Sequence, residues 1–313
     1  MTSVTIIVPA YNEGAAFGAS LTTLADYFAM HRGDEREFHY LIVDDGSSDE
    51  TFEAAQRFAR WRDKVRVLRH ERNRGLGAAL RTAFAQTNTD VAVVLDADLS
   101  YSPAIAMDLV ESLERENADI ALASAYMSGG SVVNVPFVRR VLSREANRLL
   151  SLATSGRYAT LTCMVRAYRT EVAKRLEFCS DGMIAIPEML LHALRQKLRV
   201  IERPATLQWS KERAAQVRGF NFRRAATQTS ATVALAFHHR PALWLAVPGL
   251  FPGLLPLVVA ILLIMRVPPA TLAIGTTITI VVQYTSLALF TGQLVAFFGR
   301  KFSSKRLRSN GAT

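Results

Sequence analysis

Short apolar runs that stop abruptly on acidic or polar residues, with helical stretches between them, constrain this chain more than any other feature. Residues 4–8 lead into Pro9-Ala10-Tyr11-Asn12-Glu13, residues 40–43 into Asp44-Asp45-Gly46-Ser47, and residues 91–95 into Asp96-Ala97-Asp98; residues 65–68 and 120–123 are similar runs. Runs of this length bounded by polar clusters read as buried strands. Between them, Ser47 and Glu50 fit a capping box ahead of Phe52, Ala55 and Ala59 at helical spacing. A second helix is predicted after Gly77 and a third after Pro103, which suits a first-turn position. Alternating strands and helices imply an α/β architecture with a mainly parallel sheet and helices on both faces. Ligands of such sheets bind beyond the carboxyl ends of the strands, so the three polar clusters should share one site. Asp96 and Asp98, two apart at the end of a strand, are expected to point to the same side. Hard divalent cations such as Mg2+ are commonly held by one or two carboxylates plus the phosphate oxygens of a substrate, so the pair suggests a phosphate-bearing ligand.

Composition matters chiefly towards the C-terminus. Half of the 313 residues are hydrophobic, and they are concentrated: residues 242–265 carry no charge, nor do residues 267–299, with Arg266 between them. The first of these stretches has 24 residues, and as a helix would reach roughly 36 Å against a hydrocarbon core of about 30 Å. Together they are predicted to form a two-helix transmembrane hairpin, in which Pro248, Pro252 and Pro256 kink the first span and Trp244 anchors it at the interface. Arg213, Arg218, Arg223, Arg224 and Arg240 precede the hairpin, and Lys301, Lys305, Arg306 and Arg308 follow it. By the positive-inside tendency, both termini and everything before residue 240 face the cytoplasm. No ionisable residue lies inside either span, which disfavours a proton or ion path. The net charge of +10 is placed beside the apolar stretches, where anionic lipid rather than nucleic acid explains it. Gly275 and Gly292 offer small packing surfaces for a homo-oligomer.

The first residues are already strand-like, so no signal peptide is expected. Cys163 and Cys179 lack any ligand-like spacing and read as buried free thiols. His70 and His192 have no partner spacing and read as structural. From about 135 to 211 the pattern becomes more helical, with a strand at 200–202, and residues 220–239 read as an amphipathic helix at the membrane surface. Arg139, Arg140, Ser143, Arg144 and Asn147 form a basic segment in which 140, 143, 144 and 147 share one helix face.

Taken in order, Pro9-Ala10-Tyr11-Asn12-Glu13, Asp44-Asp45-Gly46-Ser47-Ser48-Asp49, Asn73-Arg74-Gly75-Leu76-Gly77 and Asp96-Ala97-Asp98 resemble the motifs of family 2 glycosyltransferases. With the C-terminal apolar pair, the chain looks most like the polyprenyl-phosphate group that includes dolichyl-phosphate mannose synthase. The resemblance implies a nucleotide-sugar-binding A-type glycosyltransferase fold over residues 1–218, a juxtamembrane helix at 219–240, the hairpin at 241–300 and a basic cytoplasmic tail at 301–313. It implies an integral protein of the plasma (inner) or endoplasmic-reticulum membrane with its active site in the cytoplasm. It also implies inverting transfer of one sugar from a UDP- or GDP-sugar to a polyprenyl phosphate. Pro9, Tyr11 and Glu13 would border the nucleotide, Asp44 or Asp45 would bond the base or ribose, and Gly75 and Gly77 would let backbone approach the donor near Arg74. Asp96 and Asp98 would hold Mg2+ or Mn2+, with Ser100 where relatives often have a metal-assisting Gln. Arg139, Arg140, Ser143, Arg144 and Asn147 would bind the acceptor phosphate, and Glu188 would take a catalytic or orienting role.

Thr162-Cys163-Met164 and Gln208-Trp209-Ser210-Lys211 depart from the family pattern and leave the transferred sugar open. A glycan or glycolipid acceptor is the alternative reading, although no Gln-x-x-Arg-Trp occurs. A non-catalytic membrane scaffold that kept the fold is another. The third glycine of a dinucleotide fingerprint is replaced by Leu80, which disfavours a dehydrogenase.

Overall fold

The computed structural model describes residues 2–31, 36–154 and 156–210. The chain divides into two compact units, 1–235 and 236–313, and every described residue belongs to the first. The expected juxtamembrane helix, hairpin and basic tail lie outside the described residues. Among those described, no helix is long and apolar enough to cross a membrane.

In chain order the elements are β1 (Thr2–Ala10), α1 (Phe17–His31), β2 (Arg36–Asp44), α2 (Thr51–Trp61), β3 (Val65–Arg69), α3 (Leu76–Gln86), β4 (Val91–Val94), α4 (Pro103–Arg115), β5 (Ile120–Ser124), β6 (Ser131–Val133), α5 (Phe137–Ala153), β7 (Arg166–Arg169), α6 (Thr170–Arg175), α7 (Ala185–Arg195), β8 (Val200–Pro204) and β9 (Thr206–Gln208). Seven strands form one sheet in the order β3-β2-β1-β4-β7-β5-β8, while β6 and β9 pair separately. All neighbours in the large sheet are parallel except β7, which runs against both β4 and β5.

Alternation of side chains along β1 sends Val4, Ile6 and Val8 into a core with Phe17, Leu21, Leu24 and Phe28 of α1, Phe58 of α2 and Leu109 and Leu113 of α4. Each fully buried Phe or Leu there contributes about 1.5–3 kcal/mol relative to exposure. On α3, Leu80, Ala83 and Phe84 are buried, and Phe84 stacks edge-on against Tyr168 of β7.

Two local expectations fail for identifiable reasons. The capping box does not form: Glu50 makes no side-chain cap, and Asp49 accepts from the Thr51 N–H at 3.1 Å instead. Ser47 is committed elsewhere, its hydroxyl accepting the Asn12 N–H. Strand β7 also escapes pattern reading, because Arg-Ala-Tyr-Arg is not an apolar run. Arg166 is nonetheless fully buried, donating to the carbonyls of Leu161 and Ile186 at 2.7 and 2.8 Å.

Candidate active site

The ends of β1, β2 and β4 bring the three polar clusters together along one edge of the sheet. Register explains how: β1 outruns β4, whose last partner is Val94 opposite Ile7, so Pro9 sits beyond that ladder, where its missing N–H costs nothing on that side. Tyr11 and Glu13 follow on the surface. The Asn12 side-chain oxygen accepts from the Ser48 N–H at 2.9 Å, tying the end of β1 to the turn after β2.

Asp44 is 0% exposed. Its Oδ1 accepts from the Ser47 N–H, while Oδ2 lies 3.1 Å from Arg69 Nε at an angle too poor for a hydrogen bond. Asp44 Oδ2 is thus ion-paired with Arg69 but accepts no hydrogen bond, so an acceptor position remains on it for an N–H or O–H. Arg69, which the sequence reading passed over, is held by the Ser47 carbonyl and lies over the Phe52 ring. Asp45 is spent on the protein itself. Its oxygens accept from the backbone N–H groups of Arg74 and Gly75, at 3.0 and 2.6 Å, and meet His70 Nδ1 at 2.6 Å. His70 Nε2 in turn meets the Thr82 hydroxyl. Asp45 therefore shapes the 72–75 loop, and His70 is structural but not solitary.

The glycines of that loop serve a close approach different from the one expected. Gly75 has φ +94°, and a Cβ on it would run into the Asp181 carbonyl; a Cβ on Gly77 would meet the Ser180 carbonyl oxygen and come within 2.8 Å of Ala185 Cβ. The backbone they admit is the protein's own 180–182 segment, which accepts the Gly77 N–H at 2.6 Å through Asp181. Glu188 explains why that segment is there. Its two oxygens accept from the N–H groups of Cys179 and Ser180, both at 3.0 Å, and Arg81 binds the Phe178 and Ser180 carbonyls and pairs with Asp181.

Burial acts to raise the Glu188 pKa, but the Cys179 and Ser180 donors with Arg81 outweigh it and hold the carboxyl below its ordinary 4.5. A carboxylate so engaged is a clamp. Because its folded pKa is depressed, its stabilisation is complete above 4.5 and is lost as pH falls through the lower folded value. Thermal unfolding followed between pH 6 and pH 3 is expected to show this acid loss in the wild type and a flatter profile in Glu188→Gln.

Asp96 and Asp98 do not lie on the strand pleat that their spacing predicts. Strand β4 ends at Val94, and Asp96 to Leu99 form a turn closed by Leu99 N–H to the Asp96 carbonyl, with Leu99 at φ +51°. The turn, not the pleat, sets the two carboxylates. Asp96 is half-buried and Asp98 exposed. Ser100 directs its N–H and hydroxyl to Asp98 Oδ1, at 3.0 and 2.7 Å, so it orients that carboxylate. Behind them, burial above all, with the Asp96 charge adding to it, pushes the Cys163 thiol up to about 12. Burial likewise raises the Tyr101 phenol, with Cys163 and Asp96 adding to the shift. Both groups stay neutral and present an uncharged wall to Asp96. Cys179, in contrast, is exposed, although both cysteines are free.

No group of three acidic, His or Cys side chains forms a ready-made cage among the described residues. A two-carboxylate set fits a hard divalent cation whose remaining ligands come from a diphosphate and water, and does not fit a closed structural zinc site.

On the basic segment of α5, Arg139, Arg140 and Arg144 are exposed, and Arg139 lies 5.5 Å over the Trp209 ring. The preceding Gln208 donates its N–H to the Ser100 carbonyl at 2.8 Å, so the start of α5 is joined to the Asp98 turn through a short chain of contacts. Asn147 is 1% exposed and does not belong with these arginines. Its amide bonds the Ser143 carbonyl, the Thr162 hydroxyl and the Leu161 and Thr162 N–H groups, which locks α5 onto the 161–162 loop and leaves nothing for a phosphate.

Residues 5–177 match the family model described as glycosyl transferase family 2. The chain belongs to glycosyl transferase family 2. Among its relatives, the polyprenol monophosphomannose synthase of Mycolicibacterium smegmatis is 32% identical over 227 residues, covering 70% of this chain and 83% of that protein. The dolichol-phosphate mannosyltransferase of Pyrococcus furiosus is 31% identical over 207 residues, covering 65% of this chain and 56% of that one, so the chain spans just over half the length of that relative. A mannosyltransferase from Pyrobaculum calidifontis, solved with GDP-Man and Mn2+, superposes with a TM-score of 0.55 at 20% identity, covering 93% of this chain and 84% of the other. The fold of the described unit is thus the A-type glycosyltransferase fold, with its mostly parallel sheet.

Proposed function

We propose that this family 2 member moves one mannose, with inversion, from GDP-mannose to a polyprenyl phosphate at the cytoplasmic face of the membrane that its C-terminal apolar stretches enter. The observation that carries the reading is the gathering of three features at the ends of the strands: the buried Asp44, which pairs with Arg69 but keeps an acceptor position, the Asp96 and Asp98 turn, and the arginines of α5 joined to that turn through Ser100, Gln208 and Trp209. Mannose is favoured over other sugars by the names of the relatives and by the GDP-Man of the structural neighbour.

In this scheme Asp44 accepts from the guanine base, and Tyr11 and Glu13 border it. Arg74, carried on the loop that Asp45 clamps, faces the donor phosphates. Asp96 and Asp98 would hold Mg2+ or Mn2+, which supplies charge neutralisation for the departing diphosphate. A polyprenyl phosphate with a second pKa of about 6 is largely dianionic in the cytoplasm. It needs no protein base, in keeping with a Glu188 whose oxygens already accept two backbone N–H groups. Arg139, Arg140 and Arg144 hold this anion so that its oxygen bonds the anomeric carbon while the bond from that carbon to the GDP oxygen breaks. The electron pair leaves with GDP.

The test is incubation of the full chain in lipid nanodiscs with polyprenyl phosphate and a panel of radiolabelled GDP- and UDP-sugars, with Mn2+, Mg2+ or EDTA. The expected product is a β-linked mannolipid from GDP-mannose alone, abolished by EDTA. Donor binding without any lipid-linked product would overturn the proposal.

A further inference from the structure

Among the described residues Arg166 is a buried cation with no carboxylate partner. It opens β7 between Val94, the last residue of β4, and Leu122 of β5, and it is 0% exposed. Its fork reaches two carbonyls far apart in the chain, Nη2 that of Leu161 at 2.7 Å and Nη1 that of Ile186 at 2.8 Å, while Nε has no acceptor. Burying such a charge is expensive, and bonds to two carbonyls offset only part of it. A side chain kept in the core on those terms invites the question of what its two arms hold.

One arm holds a loop that the rest of the fold also grips. The N–H groups of Ala159 and Thr160 go to Glu202 of β8, those of Leu161 and Thr162 to Asn147, and the Thr160 hydroxyl meets that of Ser124 at the end of β5. The loop runs on to Cys163, behind the Asp96 turn. Burial sets that thiol high, the Asp96 charge adds to the shift and the Arg166 charge opposes it, so both charges act on one buried sulfur. The other arm holds the first turn of α7 just ahead of Glu188, whose carboxylate fixes the segment that lies against Gly75 and Gly77. Arg166 therefore stands in an unbroken series of contacts from the 72–77 loop to the loop behind Asp96.

We propose that Arg166 is a positioning residue of the transferase, a bridge between the 159–163 loop and the first turn of α7 that keeps the Asp96 turn and the donor-phosphate loop at a fixed spacing. A planar fork suits this task, because its Nη groups point along different directions, whereas a lysine ammonium offers one compact point on a flexible stem. Transfer is sensitive to such spacing, since a misplacement of about 1 Å can cost about a hundredfold in rate. The rate consequence rests on the transferase reading above, and the bridge itself on the hydrogen bonds alone.

The test places Arg166→Lys, which keeps the charge and gives up the fork, and Arg166→Gln, which is neutral and shorter, in the full chain carrying Cys179→Ser in lipid nanodiscs. Two readouts are taken well below each Tm: mannolipid formation with GDP-mannose and Mn2+, resolved into kcat and KM, and the rate at which dithiobis(nitrobenzoate) modifies the one remaining thiol, the buried Cys163. Arg166→Lys is expected to lower kcat about thirtyfold with both KM values within about threefold of the Cys179→Ser parent. Its Cys163 is expected to react at least about tenfold faster than in the parent, because the loop behind Asp96 opens locally. Arg166→Gln is expected to fall as far in kcat. An unchanged kcat or an unchanged thiol rate in Arg166→Lys would overturn the proposal, even with a lowered Tm, and so would failure of both variants to fold, which assigns Arg166 to stability alone. A parent that makes no mannolipid would defeat the transferase reading instead, and the thiol rate would then decide the bridge by itself.

Discussion

Asp98→Ala is expected to lower kcat/KM for mannolipid formation about a thousandfold, on the order of 4 kcal/mol of barrier, with little change in Tm. The two parts of this prediction rest on different observations. Asp98 stands exposed on a turn and gives its Oδ1 to Ser100, so removing it releases no core contact. Chemically, a two-carboxylate site that loses one ligand holds its cation poorly, and charge then builds on the departing diphosphate without compensation. Raising Mn2+ should recover part of the Asp98→Ala loss but none in an Asp96→Ala, Asp98→Ala double variant. Transfer by Asp98→Ala within about threefold of wild type would separate this turn from the chemistry.

Gly77→Ala is expected to cost about 3 kcal/mol of stability, a fall in Tm of roughly 6–12 °C for a domain of this size, and to raise the KM for the donor. Its added Cβ would collide with the Ser180 carbonyl oxygen and crowd Ala185. Backbone cannot swing aside as a side-chain tip can, and this backbone is held from behind by Glu188 and Arg81. Relief must come from moving the 72–77 loop, which also breaks its bonds to Asp45 and thereby disturbs Arg74. Gly182→Ala is the control from the same segment. Nothing lies within 4 Å of its added Cβ, so it should be neutral. Equal Tm values for the two variants would show that the 180–182 segment is not pressed against α3.

The acid-bearing strand ends were legible before any coordinates because the signal is local: a short apolar run, then carboxylates, then a helix. The same locality could not show the partners of Asp45, Glu188 and Asn147. Each carries a side chain suited to a ligand, and each uses it on backbone groups that folding brings close from elsewhere in the chain. Gly75 and Gly77 were read as letting backbone approach the donor; the structure shows the protein's own 180–182 backbone against them, and nothing in a Gly-x-Gly says which backbone will arrive. Strand β7 stayed hidden because a buried arginine bonded to two carbonyls breaks the apolar pattern that marks a central strand.

The sequence by itself determined the class of fold, the family and the strand ends at which the polar clusters gather, since periodicity and motif order are properties of neighbouring residues. Only the tertiary structure decided which polar groups remain for a ligand and which are consumed in holding the site. Those outcomes depend on hydrogen-bond partners and packing surfaces distant along the chain, and no local pattern encodes them.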